Sequence, residues 1–131
     1  MTYLIAYGAT ALVFFGLDYL WLGTVAKGFY ARELGPLMRE TPDFAAAGLF
    51  YLFYVAGIVF FAVLPALQSG SWKTALLYGG LLGLLAYGTY DMTNLATLKG
   101  WSVKMVVVDM AWGAALTAMA ALAGTLAVRT L

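Results

Sequence analysis

Four apolar runs constrain this chain more than any other feature. They lie at Tyr3–Gly23, Ala45–Leu67, Thr74–Thr97 and Val103–Val128. Each is close to the ~20 residues that a helix needs to cross the hydrocarbon of a bilayer. Strands fit the runs less well. They lack the ~10-residue segments of alternating hydrophobicity that mark a membrane barrel, and backbone groups in lipid must satisfy themselves. Charge is also too scarce to cover a water-facing surface: 10% of the 131 residues are charged and 64% are hydrophobic, where soluble domains carry about 25% charged residues. The expected fold is an all-α integral membrane protein, a four-transmembrane-helix bundle forming one domain over residues 1–131.

The first run differs from a secretory signal. No Lys or Arg precedes it, Asp18 interrupts it, and it is longer than a typical signal core. It reads as a retained helix. The segment 24–44 holds Lys27, Arg32, Glu33, Arg39, Glu40 and Asp43. Within it Val25, Phe29, Tyr30 and Leu34 recur at roughly helical spacing with basic residues between them, the pattern of a short interfacial helix on the membrane surface. An ordinary loop is the plainer alternative. Thr41-Pro42-Asp43 reads as a helix start. The segments "QSGSWK" (68–73) and "LKGWS" (98–102) read as tight turns.

Loop charges set the expected orientation. Lys27, Arg32, Arg39, Lys99 and Lys104 lie at one end, and Lys73 and Arg129 at the other. Basic residues gather on the cytoplasmic side, so both termini are expected on the non-cytoplasmic side.

The acids inside the runs are the chemical signal. Asp18 lies about five residues inside the first run, roughly 7–8 Å deep; Asp91 and Asp109 lie about six residues inside the third and fourth, roughly 9 Å deep. Three helices thus bring one carboxyl each to nearly the same level near the cytoplasmic end. Tyr87, Asp91 and Asn94 share a helical face, as do Trp101, Met105, Asp109 and Trp112. Tyr90 is four residues from Asn94, Trp21 sits near Asp18, and Tyr51 and Tyr54 fall level with the acids. Turning an intramembrane acid to lipid costs about 2.5–3.5 kcal/mol on insertion scales. The stripes are therefore expected to converge on a polar pocket with aromatic walls.

Each residue also has a plainer reading. Asp18 can face headgroup water. Asp91 and Asp109 can lock the bundle by hydrogen bonds to Asn94, tyrosine hydroxyls or Lys104. Trp21 and Trp72 suit an aromatic belt, and Lys99 and Lys104 suit snorkelling to the surface. Small residues suggest close packing elsewhere: Gly79 and Gly83 in the third run, and Ala114, Ala118, Ala120 and Gly124 in the fourth.

Several chemistries are disfavoured. With no Cys and no His, acyl transfer by a nucleophile–base pair has neither group to use. Three Asp and an Asn could hold Mg²⁺ or Ca²⁺ but lack the spacing of a binding loop, so no metal and no cofactor is expected. A net charge of +1 gives no bulk attraction to nucleic acid.

The blocks "LDYLWLGTVAKGFY", "LFYLFYVAGIVFFAVLPAL", "GTYDMTNLATLKGW" and "VDMAWG" resemble a bacterial membrane-protein family known as domain of unknown function 2177, over essentially the whole chain. The resemblance implies a small four-span protein of the bacterial inner (cytoplasmic) membrane. It implies no reaction.

Three functional expectations follow. The first is a pocket that binds or modifies a lipid or other hydrophobic small molecule. Asp91, Asp109 and Asp18 would be its catalytic groups, suited to a proton-moving isomerisation or lipid-tail modification. Asn94, Tyr87, Tyr90, Trp112, Tyr54, Trp21 and Lys104 would be ligand-binding. The second is a proton-coupled small transporter or channel. The third is an accessory subunit that docks a partner membrane protein or a second copy of the chain. Whether there is catalysis at all is left open by the sequence.

Overall fold

Three short side chains set where the long helices begin. Asp43 Oδ1 accepts from the Ala46 N–H at 3.0 Å, Ser71 Oγ from the Lys73 N–H at 3.3 Å, and Ser102 Oγ from the Met105 N–H at 3.0 Å. Each satisfies a donor that the first helical turn leaves unpaired. Gly70 and Gly100 take φ of 73° and 74°, a conformation that glycine alone adopts at little cost. These two residues reverse the chain on either side of the third long helix.

The computed structural model describes residues 1–131. Helix α1 runs Thr2–Leu20 and continues as a π-helical turn over Trp21–Val25. Helix α2 (Lys27–Leu34) and a 3₁₀ turn (Gly35–Leu37) follow. Helix α3 (Phe44–Ile58) passes through a second π-turn (Val59–Val63) into α4 (Leu64–Ser69). Helices α5 (Trp72–Thr97) and α6 (Val103–Thr130) complete the chain. There is no strand. Three helical stretches are long and apolar enough to cross a membrane: Thr2–Val25, Phe44–Ser69 and Val103–Thr130. Helix α5 has 26 residues but interrupts its apolar run with Tyr87, Tyr90, Asp91 and Asn94.

The sequence suggested uninterrupted helices, and the π-turns are departures from that. The second has a covalent cause. Pro65 has no N–H to give the carbonyl of Phe61, and its ring crowds that carbonyl. The helix widens over Val59–Val63, immediately before it.

Helix α6 is the central rod, flanked by α1 and α5, with the α3–α4 helix laid across them at its π-turn. Phe14, Val55, Ile58, Val63 and Leu116 form the fully buried core. Large apolar residues face outward all round, Leu12, Phe53, Phe60 and Leu85 among them, as lipid-facing surfaces require. Small residues close one end. A Cβ on Gly83 would strike the Gly113 carbonyl, one on Gly79 would press on Thr117, Ala118 and Ala121, and one on Gly124 would strike Thr10 Oγ1.

At the other end α2 corrects a sequence expectation. Val25 belongs to the π-turn and is exposed, while Tyr30 is buried and packs with Ala26 against Met105 of α6. The segment is a helix, but its best apolar anchor points into the bundle. Ser102 also donates a short hydrogen bond to Glu33, tying α2 to the turn that precedes α6.

Candidate functional site

Helix α5 leans on the second π-turn and on α4, but stands off from α3. This splay follows from the side chains. Glycines let α5 sink against α6, whereas α3 carries Phe50, Tyr51 and Tyr54 on the side toward α5. The result is a cavity of about 630 Å³ at the acid end. Such a volume is in the range of small-molecule sites.

Asp18 and Leu22 line it from the first helix, Phe50, Tyr51 and Tyr54 from α3. Ala86, Tyr87, Thr89 and Tyr90 line it from α5, and Asp109 and Trp112 from α6. Phe50 is 61% exposed and Tyr90 49% exposed, so the mouth faces the outer surface of the bundle between α3 and α5. The floor is rigid. Phe14 meets Tyr51 and Tyr54 edge-on at 5.4 and 5.5 Å between ring centroids, and Tyr54 Oη pairs with Thr117 Oγ1 at 2.9 Å. The Tyr87 ring lies directly over Gly113, where any side chain would collide with it.

The two acids on the wall are held by aromatic donors. Trp112 Nε1 donates to Asp18 Oδ1 at 3.2 Å. The Tyr30 hydroxyl donates to Asp109 Oδ1 at 2.8 Å and accepts from Trp21 Nε1 at 3.2 Å. The Trp21 and Trp112 rings stack at 4.3 Å, 8° from parallel. Burial pushes the Tyr30 phenol well above its ordinary range, the Trp21 hydrogen bond opposes this, and the Asp109 charge adds to the rise. Tyr30 therefore stays protonated at physiological pH and remains a donor. The α2 segment, the first helix and α6 thus share one hydrogen-bonded aromatic–acid network.

Asp91 is different. It is fully buried, no N–H or hydroxyl of the protein donates to either of its oxygens, and its carboxyl lies within hydrogen-bonding reach of that of Asp109. A buried polar group without a partner is costly and uncommon.

The structure brings Asp18, Asp109, Tyr54, Tyr87, Tyr90 and Trp112 to one cavity. Trp21 stands behind Trp112, and Asp91 lies beneath the wall. Asn94 and Lys104 do not line the cavity, and Lys104 is exposed. Neither ties to an acid; Tyr30 and Trp112 take that role. Tyr51, which falls level with the acids in the sequence, lines the cavity with Tyr54, whereas Tyr30, Phe50, Leu22 and Thr89 had no expected role there. The level of Tyr51 follows from helical rise along its run. Tyr30 has no such signal, because its partner is 79 residues away.

The family model described as "Predicted membrane protein (DUF2177)" matches residues 3–126, and the chain belongs to that family. No curated protein and no solved structure matches it.

Proposed function

We propose that this member of the family is a four-span protein of the bacterial inner membrane whose cavity binds, or modifies, a lipid or other hydrophobic molecule taken from the bilayer. Helix α5 is the fourth span. Its 26 residues reach about 39 Å at 1.5 Å per residue, more than the ~30 Å hydrocarbon core. Its polar residues lower its hydropathy because several of them face the cavity. Lys27, Arg32, Arg39, Lys99 and Lys104 lie in or beside α2 and the α5–α6 turn, at the acid end. The positive-inside rule then puts the cavity near the cytoplasmic leaflet and both termini on the other side.

The observation that carries the reading is the direction of the mouth. The cavity opens between α3 and α5, through exposed Phe50 and Tyr90, where the surroundings of a spanning helix are acyl chains. A hydrophobic molecule can enter sideways without crossing water, with its polar part reaching Asp18 and Asp109. The glycine-tight contact at the far end leaves no continuation along α5 and α6, which favours a pocket over a conduit.

Native mass spectrometry of the protein released from its own membrane tests this. A small molecule should be retained at one copy per chain and lost in Ala86→Trp, which fills part of the cavity from its α5 wall. Retention unchanged in that variant contradicts the reading.

A further inference from the structure

The cavity wall is chemically one-sided, and this specifies the head group of its ligand. It presents two carboxyls and four tyrosines, and no Lys or Arg. The chain has no His. Asp18 is only 7% exposed; Trp112 donates to its Oδ1, and nothing in the protein donates to its Oδ2. Asp109 likewise accepts from Tyr30 on Oδ1, and its other neighbour is a second carboxyl, that of Asp91. The ion pair that the chain does form, Arg39 to Asp43 at 3.9 Å, lies on the surface away from the cavity. Lys27, Arg32, Lys99 and Lys104 are all exposed. The acids of the cavity thus have no cationic partner from the protein, whereas charges taken out of water are as a rule paired. Tyr and Trp faces attract cations as well, and Tyr51, Tyr87 and Trp112 surround the same space.

We propose that the cavity selects an amphiphile with a cationic head, an amine or quaternary ammonium. The head lies between Asp18 and Asp109 within the aromatic wall, and the tail leaves between α3 and α5. The proposal rests on the pocket reading above and adds the sign of the charge. An anionic head would meet two acids with no basic group to offset them.

The test uses the full chain in uncharged maltoside micelles and three probes with the same twelve-carbon tail: dodecyltrimethylammonium, dodecanol and dodecyl sulfate. Bound probe is counted by native mass spectrometry. The ammonium should be retained at least about tenfold better than the alcohol, and the sulfate not at all. Asp18→Asn keeps an oxygen for Trp112 and should bring the ammonium down to the level of the alcohol. Equal retention of ammonium and alcohol, both lost in Ala86→Trp, overturns the cationic head and leaves the pocket standing. Retention of every probe regardless of Ala86→Trp overturns the pocket itself. The wild-type comparison decides the sign of the charge even if an acid variant fails to fold.

Discussion

At Gly83 one added carbon would strike the carbonyl of Gly113; at Ala86, one turn along the same helix, the neighbouring space is a cavity of about 630 Å³. The same pair of helices is fused at one end and relieved at the other. Around Gly79, Gly83 and Gly124 the backbones approach until a hydrogen is the largest side chain that fits. In a bilayer such contact is a main source of helix association, since lipid tails are as apolar as leucine. At the acid end, spacing is kept by rings: Trp21 on Trp112, Phe14 on Tyr51 and Tyr54, and Tyr87 over Gly113. Stiff rings hold a space open and offer hydrogen-bond donors at its edge. Close backbone contact is concentrated at one end, and the other encloses the cavity.

The contrast ranks substitutions. Gly83→Leu should be the most damaging, because the obstruction is backbone. We expect a loss of about 3 kcal/mol or more, at the top of the range for overpacking, or no folded protein, read by unfolding in mixed micelles. Tyr30→Phe attacks the opposite end. It removes the donor to Asp109 and the acceptor for Trp21, and should cost about 1.5 kcal/mol together with measurable loss of retained ligand. Tyr54→Phe removes only the bond to Thr117 and should cost about 0.6 kcal/mol, the average for interhelical hydrogen bonds in membranes. Asp91→Leu should change stability little, because removing a buried carboxyl that no N–H or hydroxyl satisfies offsets the crowding from two larger methyl groups.

Much of the acid end could be read from residue spacing. Asp18 and Asp109 sit at matching depths on separate apolar runs, and the cost of facing lipid turns both inward. The i, i+4 and i, i+7 relations on α5 place Tyr87 with Asp91, one on the cavity wall and the other just beneath it. What spacing could not supply was long-range. Tyr30 reaches Asp109 because α2 folds back over α6, a contact fixed by Ala26 and Met105 packing and by Ser102 with Glu33. Depth along the helix is also nearly the same for all three acids. It cannot show that two line a cavity and one lies behind it, since that depends on how far α5 leans away from α3. The π-turn over Val59–Val63 was hidden for a similar reason: Pro65 sits near the helix end, where it could have closed a helix without widening it.

Helix α5 touches α6 and stands clear of α3. Because the chain has no cysteine, introduced pairs report it without background. A Cβ on Gly80 lies 3.9 Å from that of Ala118, close to the mean separation in a disulfide, about 3.8 Å. In native membranes Gly80→Cys with Ala118→Cys should oxidise readily, while Phe50→Cys with Thr89→Cys, across the mouth, should stay reduced under the same oxidant. Disulfide formation in the second pair as fast as in the first would mean that α3 packs directly on α5 and that there is no cavity between them.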